Sequence, residues 1–236
     1  MALIGLLLVS LTTTCDASAA TPASASSLQS SLAEAMTAAE AAGSARISVQ
    51  FFTGSTSGRV VQDSTLHTGK QTTAIKKEVV SVVLVGGSAY ISGNTEGLTS
   101  YFGLPSSLAS TLAGKWVSIQ PTDSSFQSIS ANVDLTSALA NVTPGGTLVA
   151  GKRSKIDGKQ VRSIGGDAPG GAGKLTLFVA ADKRALPVAA VESSGSGKSA
   201  TGEIVTFTHW GERVRVATPT AAVPLSAIQA ASSASG

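Results

Sequence analysis

Between Arg46 and Phe51 the side chains alternate strictly, with Ile47, Val49 and Phe51 on one side and Arg46, Ser48 and Gln50 on the other. A period of two marks a strand with one buried face. The same period returns along most of the chain, in runs punctuated by tight-turn residues, and a chain so patterned has to build a large antiparallel sheet. After the turn Gly54–Gly58, strands are read over 59–68 and 71–77. The β-branched run Val79–Val85 then passes through Gly86-Gly87 into Ser88–Ser92. Beyond Pro144-Gly145-Gly146, strands over 147–156 and 159–164 flank Asp157-Gly158, a strong two-residue hairpin signal. Further strands are read over 174–181, 186–193, 203–210 and 213–216. Consecutive strands joined in this way form meanders, and a sheet of about ten or eleven strands curls.

Helical spacing replaces the period of two in three places. Leu28, Leu32, Ala35 and Met36 form one stripe over 28–42, with Gly43 as a stop. In the middle of the chain, short helices are read over 95–102, 105–113, 124–131 and 134–141, with a short strand at Lys115–Ile119 between the two pairs. Pro105 suits a first helical turn and Asp134 an N-cap. A last helix is read over 224–231. The fold class is therefore α+β, with short helices laid over the concave face of a curled sheet in a single domain. Leu98, Phe102, Leu104, Leu108 and Leu112 form an apolar set on those helices that either fills the core or lines a lipid site.

The N-terminus reads as an address. Ala2–Leu11 is too short to cross a bilayer, which takes roughly 20 residues, but has the length of a signal-peptide core. No Lys or Arg precedes it. Cys15, the only cysteine, follows closely, and a lone cysteine cannot close an intrachain disulfide. Its setting resembles the bacterial lipoprotein signal, in which a small-residue box ends in a cysteine that receives a diacylglyceryl group. Thr12 stands where such boxes carry leucine, with Leu11 one position early. The rival is cleavage after Ala17-Ser18-Ala19, which would discard Cys15 and release a secreted protein. Residues 16–27 are small and polar, the composition of a flexible tether. The expected organisation is a signal over 1–15, a tether over 16–27 and one domain over 28–236, held on the outer face of the cell membrane by its acylated end.

Several function classes find no support. A net charge of +3 spread thinly over 236 residues, with 4% aromatics, lacks the basic stripes of a nucleic-acid binder. The two histidines, His67 and His209, have no G-x-S-x-G or S-x-x-K partner motif and no metal-ligand spacing around them. No enzyme, catalytic residue, metal or cofactor is expected. Ser194–Ser199, SGSGKS, imitates the end of a P-loop, but Glu192 takes the place of its first glycine and a strand follows where a helix is needed. Gly170–Lys174 fails similarly, with Leu175 in place of the hydroxyl residue. Trp116 and Trp210 are read as packing anchors, and Arg213 and Arg215, alternating with Val214 and Val216, as the solvent face of a strand.

Four phrases in order carry a resemblance. They are Gly114-Lys115-Trp116-Val117, Ile156-Asp157-Gly158-Lys159-Gln160-Val161, Leu175–Asp182 leading into Leu186-Pro187, and Phe207–Val216. Over residues 28–228 the chain resembles the actinobacterial lipoproteins of the LppX/LprG type, which are similar to the LolA and LolB lipoprotein carriers. The resemblance implies a half-open antiparallel β-barrel closed on one side by helices, with an apolar cavity that carries a lipid or glycolipid. On that basis the expected ligand-binding residues are Val49, Phe51, Leu66, Val83 and Ile91 from the strands. Leu98, Phe102, Leu104, Leu108, Leu112, Ile129, Leu135 and Leu139 are expected from the helices. A monomer bound to lipid is expected. Alternating strands can equally pack a solid core, and the alternative is an envelope adaptor that binds a partner protein.

Overall fold

The computed structural model describes residues 24–171, 173–195 and 201–233. The signal, Cys15 and most of the tether lie outside the described residues, as does the Ser196–Ser199 part of the P-loop-like stretch. Helix α1 spans Ala25–Ala42 and so takes in the last residues of the predicted tether. The Ser24 side chain caps its start by accepting from the Ser27 N–H, and Gly43, at φ 73°, ends it in the left-handed region that glycine adopts without strain.

Strands β1 (Ser44–Thr53), β2 (Thr56–Thr65), β3 (Gly69–Ile75), β4 (Glu78–Val85) and β5 (Ser88–Gly93) follow as an uninterrupted antiparallel meander. Helices α2 (Thr95–Phe102) and α3 (Ser106–Leu112) precede the short strand β6 (Val117–Ile119), and α4 (Phe126–Ser130) and α5 (Leu135–Asn141) follow it. The second meander comprises β7 (Gly145–Ala150), β8 (Ser154–Ile156), β9 (Lys159–Asp167), β10 (Lys174–Ala180), β11 (Pro187–Ser194) and β12 (Thr201–Thr208). A two-residue strand β13 (Val223–Pro224) and helix α6 (Leu225–Ser233) complete the described chain.

One sheet joins them all in the order β13-β6-β5-β4-β3-β2-β1-β12-β11-β10-β9-β7, with β8 on β9. The two meanders meet where β12 pairs with β1, from Arg46 with Thr208 to Thr53 with Thr201, far apart in sequence. The sheet does not close: β13 and β7 are its two edges. This is the half-open α+β arrangement expected. Asp157 and Gly158 both take positive φ, 47° and 77°, the type I′ geometry their sequence requires. The Asp134 carboxylate accepts from the Ser137 N–H at 2.7 Å, the predicted cap of α5.

Two sequence expectations are corrected. The strand over 147–156 is broken into β7 and β8, because only Gly145, Val149 and Ala150 and then Ser154–Ile156 find partners on β9. Residues 213–216 form no strand: after β12 the chain leaves the sheet and runs without regular structure to β13. The P-loop-like stretch is followed by a strand, as its sequence predicts: Ser194 pairs with Thr201, and β12 takes the place a P-loop helix would need.

The helices cover one face of the sheet in two groups. In the first, Leu28, Leu32, Ala35 and Ala39 of α1 and Leu135 and Leu139 of α5 pack on Ile47, Leu175, Leu177, Val205 and Phe207. In the second, Leu98 of α2, Ala109 and Leu112 of α3 and Ile228 of α6 pack on Val80, Val82, Leu84, Ile91, Val117 and Ile119. Each fully buried aliphatic or aromatic side chain contributes about 1.5–3 kcal/mol. Trp210 stacks on Phe207 with ring centroids 5.5 Å apart, and its Nε1–H donates to the Pro187 carbonyl at 2.9 Å, anchoring the end of the first group. No described helix is long and apolar enough to cross a membrane.

Candidate functional site

The central strands β1–β4 lie between the two helical groups, and there the covered face carries a cleft of about 540 Å³. Its floor is the alternate residues Phe51, Val60, Gln71, Thr73, Ile75, Val80 and Val82, which share one face because side chains two apart point the same way. Its roof is Tyr101 and Phe102 from the end of α2, with Ser125, Ser128, Ile129 and Asn132 on and around α4. No charged side chain lines it. The volume falls in the range of small-molecule sites, and the mix of apolar walls with a few neutral hydrogen-bonding groups suits acyl chains with an uncharged polar junction.

Side-chain locks set the position of each wall. Asn94 caps α2 by accepting at Oδ1 from the Gly97 N–H at 2.9 Å and from the Val79 N–H at 3.0 Å. Its Nδ2 donates to the Lys77 carbonyl at 2.5 Å. The start of α2 is thereby pinned to the β3–β4 turn, and a helix of eight residues carries Tyr101 and Phe102 to the mouth of the cleft. The other wall is held by the α4–α5 connection. Gln62 Nε2 donates to the Val133 carbonyl at 2.9 Å, Ser64 Oγ donates to the same oxygen at 2.5 Å, and Gln71 Nε2 donates to the Asn132 carbonyl at 3.0 Å. Gln62 and Ser64 are buried, so these bonds work where unpaired polar groups would be expensive. Gly69 admits the connection: a Cβ there would lie 2.5 Å from the Val133 carbonyl oxygen.

Phe51 lies over Gly58, where a Cβ would meet its ring at 2.3 Å. It borders a smaller cleft at the end of β1 and the start of β12 that includes Glu192 and Glu203. The two glutamates are direct cross-strand partners on the covered face, and Glu203 also sits opposite Phe51. Burial, reinforced by the like charge of Glu192, pushes the Glu203 carboxyl above its ordinary range.

Of the residues expected to bind ligand, Phe51, Phe102 and Ile129 line the cleft. Leu98, Ile91 and Leu112 are closed into the second helical group, with Leu104 and Leu108 packed against it. Leu135 and Leu139 are closed into the first group, with Val49 and Leu66 against it. Val83 is corrected outright: it lies on the opposite face of β4 from Val80 and Val82, in a shallow groove with Val61 and Trp116. Val60, Thr73, Ile75, Val80 and Val82 were not anticipated, although counting in twos from Phe51 through each hairpin register reaches them. His67 and His209 are both exposed, and among the described residues no three His, Cys, Asp or Glu side chains come together as metal ligands.

No protein-family model matches the chain, and no curated protein matches its sequence. Solved structures do match. LprF from Mycobacterium bovis superposes with a TM-score of 0.54 at 14% identity, over 85% of this chain and 99% of that one. The lipoprotein LppX from Mycobacterium tuberculosis superposes with a TM-score of 0.51 at 20% identity, over 82% of this chain and 100% of that one. The chain has the LprF and LppX fold. That sharing spans nearly the whole of both mycobacterial chains.

Proposed function

We propose that the protein is an envelope lipoprotein that binds a lipid or glycolipid in the cleft between β1–β4 and helices α2 and α4, and carries it. The observation that bears most weight is the cleft itself: a space of about 540 Å³ with uncharged lining, left between two well-packed helical groups. Burial of acyl chain supplies the affinity, at about 0.8 kcal/mol per methylene. No catalysis is required. The fold shared with LppX, a lipoprotein, supports the reading, as does the Cys15 signal, which would hold the domain at the outer face of the cell membrane.

The test is native mass spectrometry of the purified protein, followed by extraction of any added mass. Wild type is expected to carry a reproducible, lipid-extractable mass. Thr73→Trp, which fills the floor, and Ile129→Asp, which charges the roof, are expected to lose most of it while keeping the strand-rich circular dichroism of wild type. A bare mass with no uptake from host lipids would instead favour an adaptor. That second reading draws on the partly exposed outer row of Phe52, Ile204 and Val191, an apolar strip across three neighbouring strands.

A further inference from the structure

On the face of the sheet turned away from α1, the start of β1 and the ends of β2 and β3 meet the segment that follows β12. Arg46, Asp63 and Lys70 stand side by side there as direct cross-strand neighbours. The segment adds His209, Glu212, Arg213 and Arg215, and together they enclose a cleft of about 370 Å³. It is lined by four fixed cations against two carboxylates. Asp63 is already engaged: Arg46 donates to it through Nε at 2.6 Å and through a terminal nitrogen at 3.0 Å, and Lys70 lies 3.4 Å away. Among the described residues Arg213 and Arg215 form no ion pair, although both are exposed on the rim of the same cleft.

The backbone that carries them is fixed. The Gly211 N–H donates to the Ser44 carbonyl at 3.0 Å, and the Ser44 hydroxyl donates to the Glu212 carbonyl at 2.7 Å. Ser44 is itself buried. At its far end the segment is held by the Val223 N–H on the Trp116 carbonyl at 2.8 Å and by the β13–β6 pairing. Two guanidinium forks with no internal partner, on a segment held at both ends and beside further positive charge, have the chemistry to receive a tetrahedral oxyanion.

We infer that this cleft binds a phosphate group, with Arg213 and Arg215 as its principal ligands. The site is on the opposite face from the lipid cleft and does not depend on it. The phosphate could belong to a small soluble molecule or to a phospholipid head group, and the same pair of experiments separates the two. Backbone amide shifts of the full chain in detergent are followed during titration with inorganic phosphate. Co-sedimentation is measured with vesicles of phosphatidylglycerol and of phosphatidylcholine. Saturable shifts confined to residues 209–216 and the facing residues 45, 46, 63 and 70 identify a soluble phosphate site. Preference for phosphatidylglycerol vesicles without those shifts identifies a head-group site. In either case Arg213→Gln/Arg215→Gln is expected to weaken binding by about tenfold or more, since hydrogen bonds to charged groups are lost. Any N-terminal anchor is common to both proteins and cancels. Shifts that map elsewhere in wild type, or a variant that binds both probes as wild type does, overturn the inference.

Discussion

Glu203 is the residue whose environment disagrees most with its chemistry. It lies on the covered face of β12, between Phe51 on one neighbouring strand and Glu192 on the other. Because its folded pKa is raised, ionisation opposes folding: the penalty is absent below about pH 4, where the group is protonated folded and unfolded, and complete above its raised folded value. Glu203→Gln is therefore expected to raise the melting temperature at pH 7 by about 2 °C or less, the partial exposure screening part of the effect. The gain should vanish in melts recorded near pH 4, and a variant that melts lower than wild type at pH 7 would refute the assignment. Residue-level reading of the sequence held for the alternation of β1, but not for that of residues 213–216, which form no strand. Ile47 and Phe51 both point to the covered face. It failed by one position at Val83, where a slip of one residue puts a side chain on the wrong side of the sheet. Within the unbroken apolar run Val79–Val85, composition does not mark which valines face in.

At the scale of elements, the roof of the cleft depends on a five-residue helix with no buried residue of its own. Helix α4 stays on the sheet because the connection after it is clamped by Gln62, Ser64 and Gln71. Gly69→Ala would drive a methyl group into the Val133 carbonyl and is expected to destabilise the protein by about 1–3 kcal/mol. Chemical denaturation reads the stability, and the rate of exchange of a fluorescent fatty acid reads the cleft. Faster exchange is expected with the loosened clamp, and unchanged stability and exchange would show that α4 is held some other way. The short helices were legible as helices from caps and spacing, but not as walls. Leu112 has the composition of a lining residue and is 5% exposed inside the second helical group, so charging it would unfold that group before it emptied any site. Spacing within a helix gives the apolar side; it carries no information about whether a sheet or a void lies beneath.

For the whole molecule, the decisive event is the pairing of β1 with β12. It fuses two meanders, and the cleft lies on the joined sheet between the two helical groups, sharing Val80 and Val82 with the second. An acylated Cys15 followed by a short polar tether would keep that cleft close to a membrane. Cys15→Ser is expected to move the protein from the membrane fraction to the soluble fraction of its host, and an unchanged distribution would favour cleavage after Ala19. What the sequence by itself determined was the antiparallel sheet, its hairpins, the position of the helical interruption and the caps that bound several helices. Those follow from side-chain periodicity and turn chemistry, which act over a few residues. Only the tertiary structure decided the strand order, the gap between the two helical groups and the path of residues 209–222 across the end of the sheet. Each depends on contacts between segments far apart in the chain, where local pattern supplies the surfaces but not which of them meet.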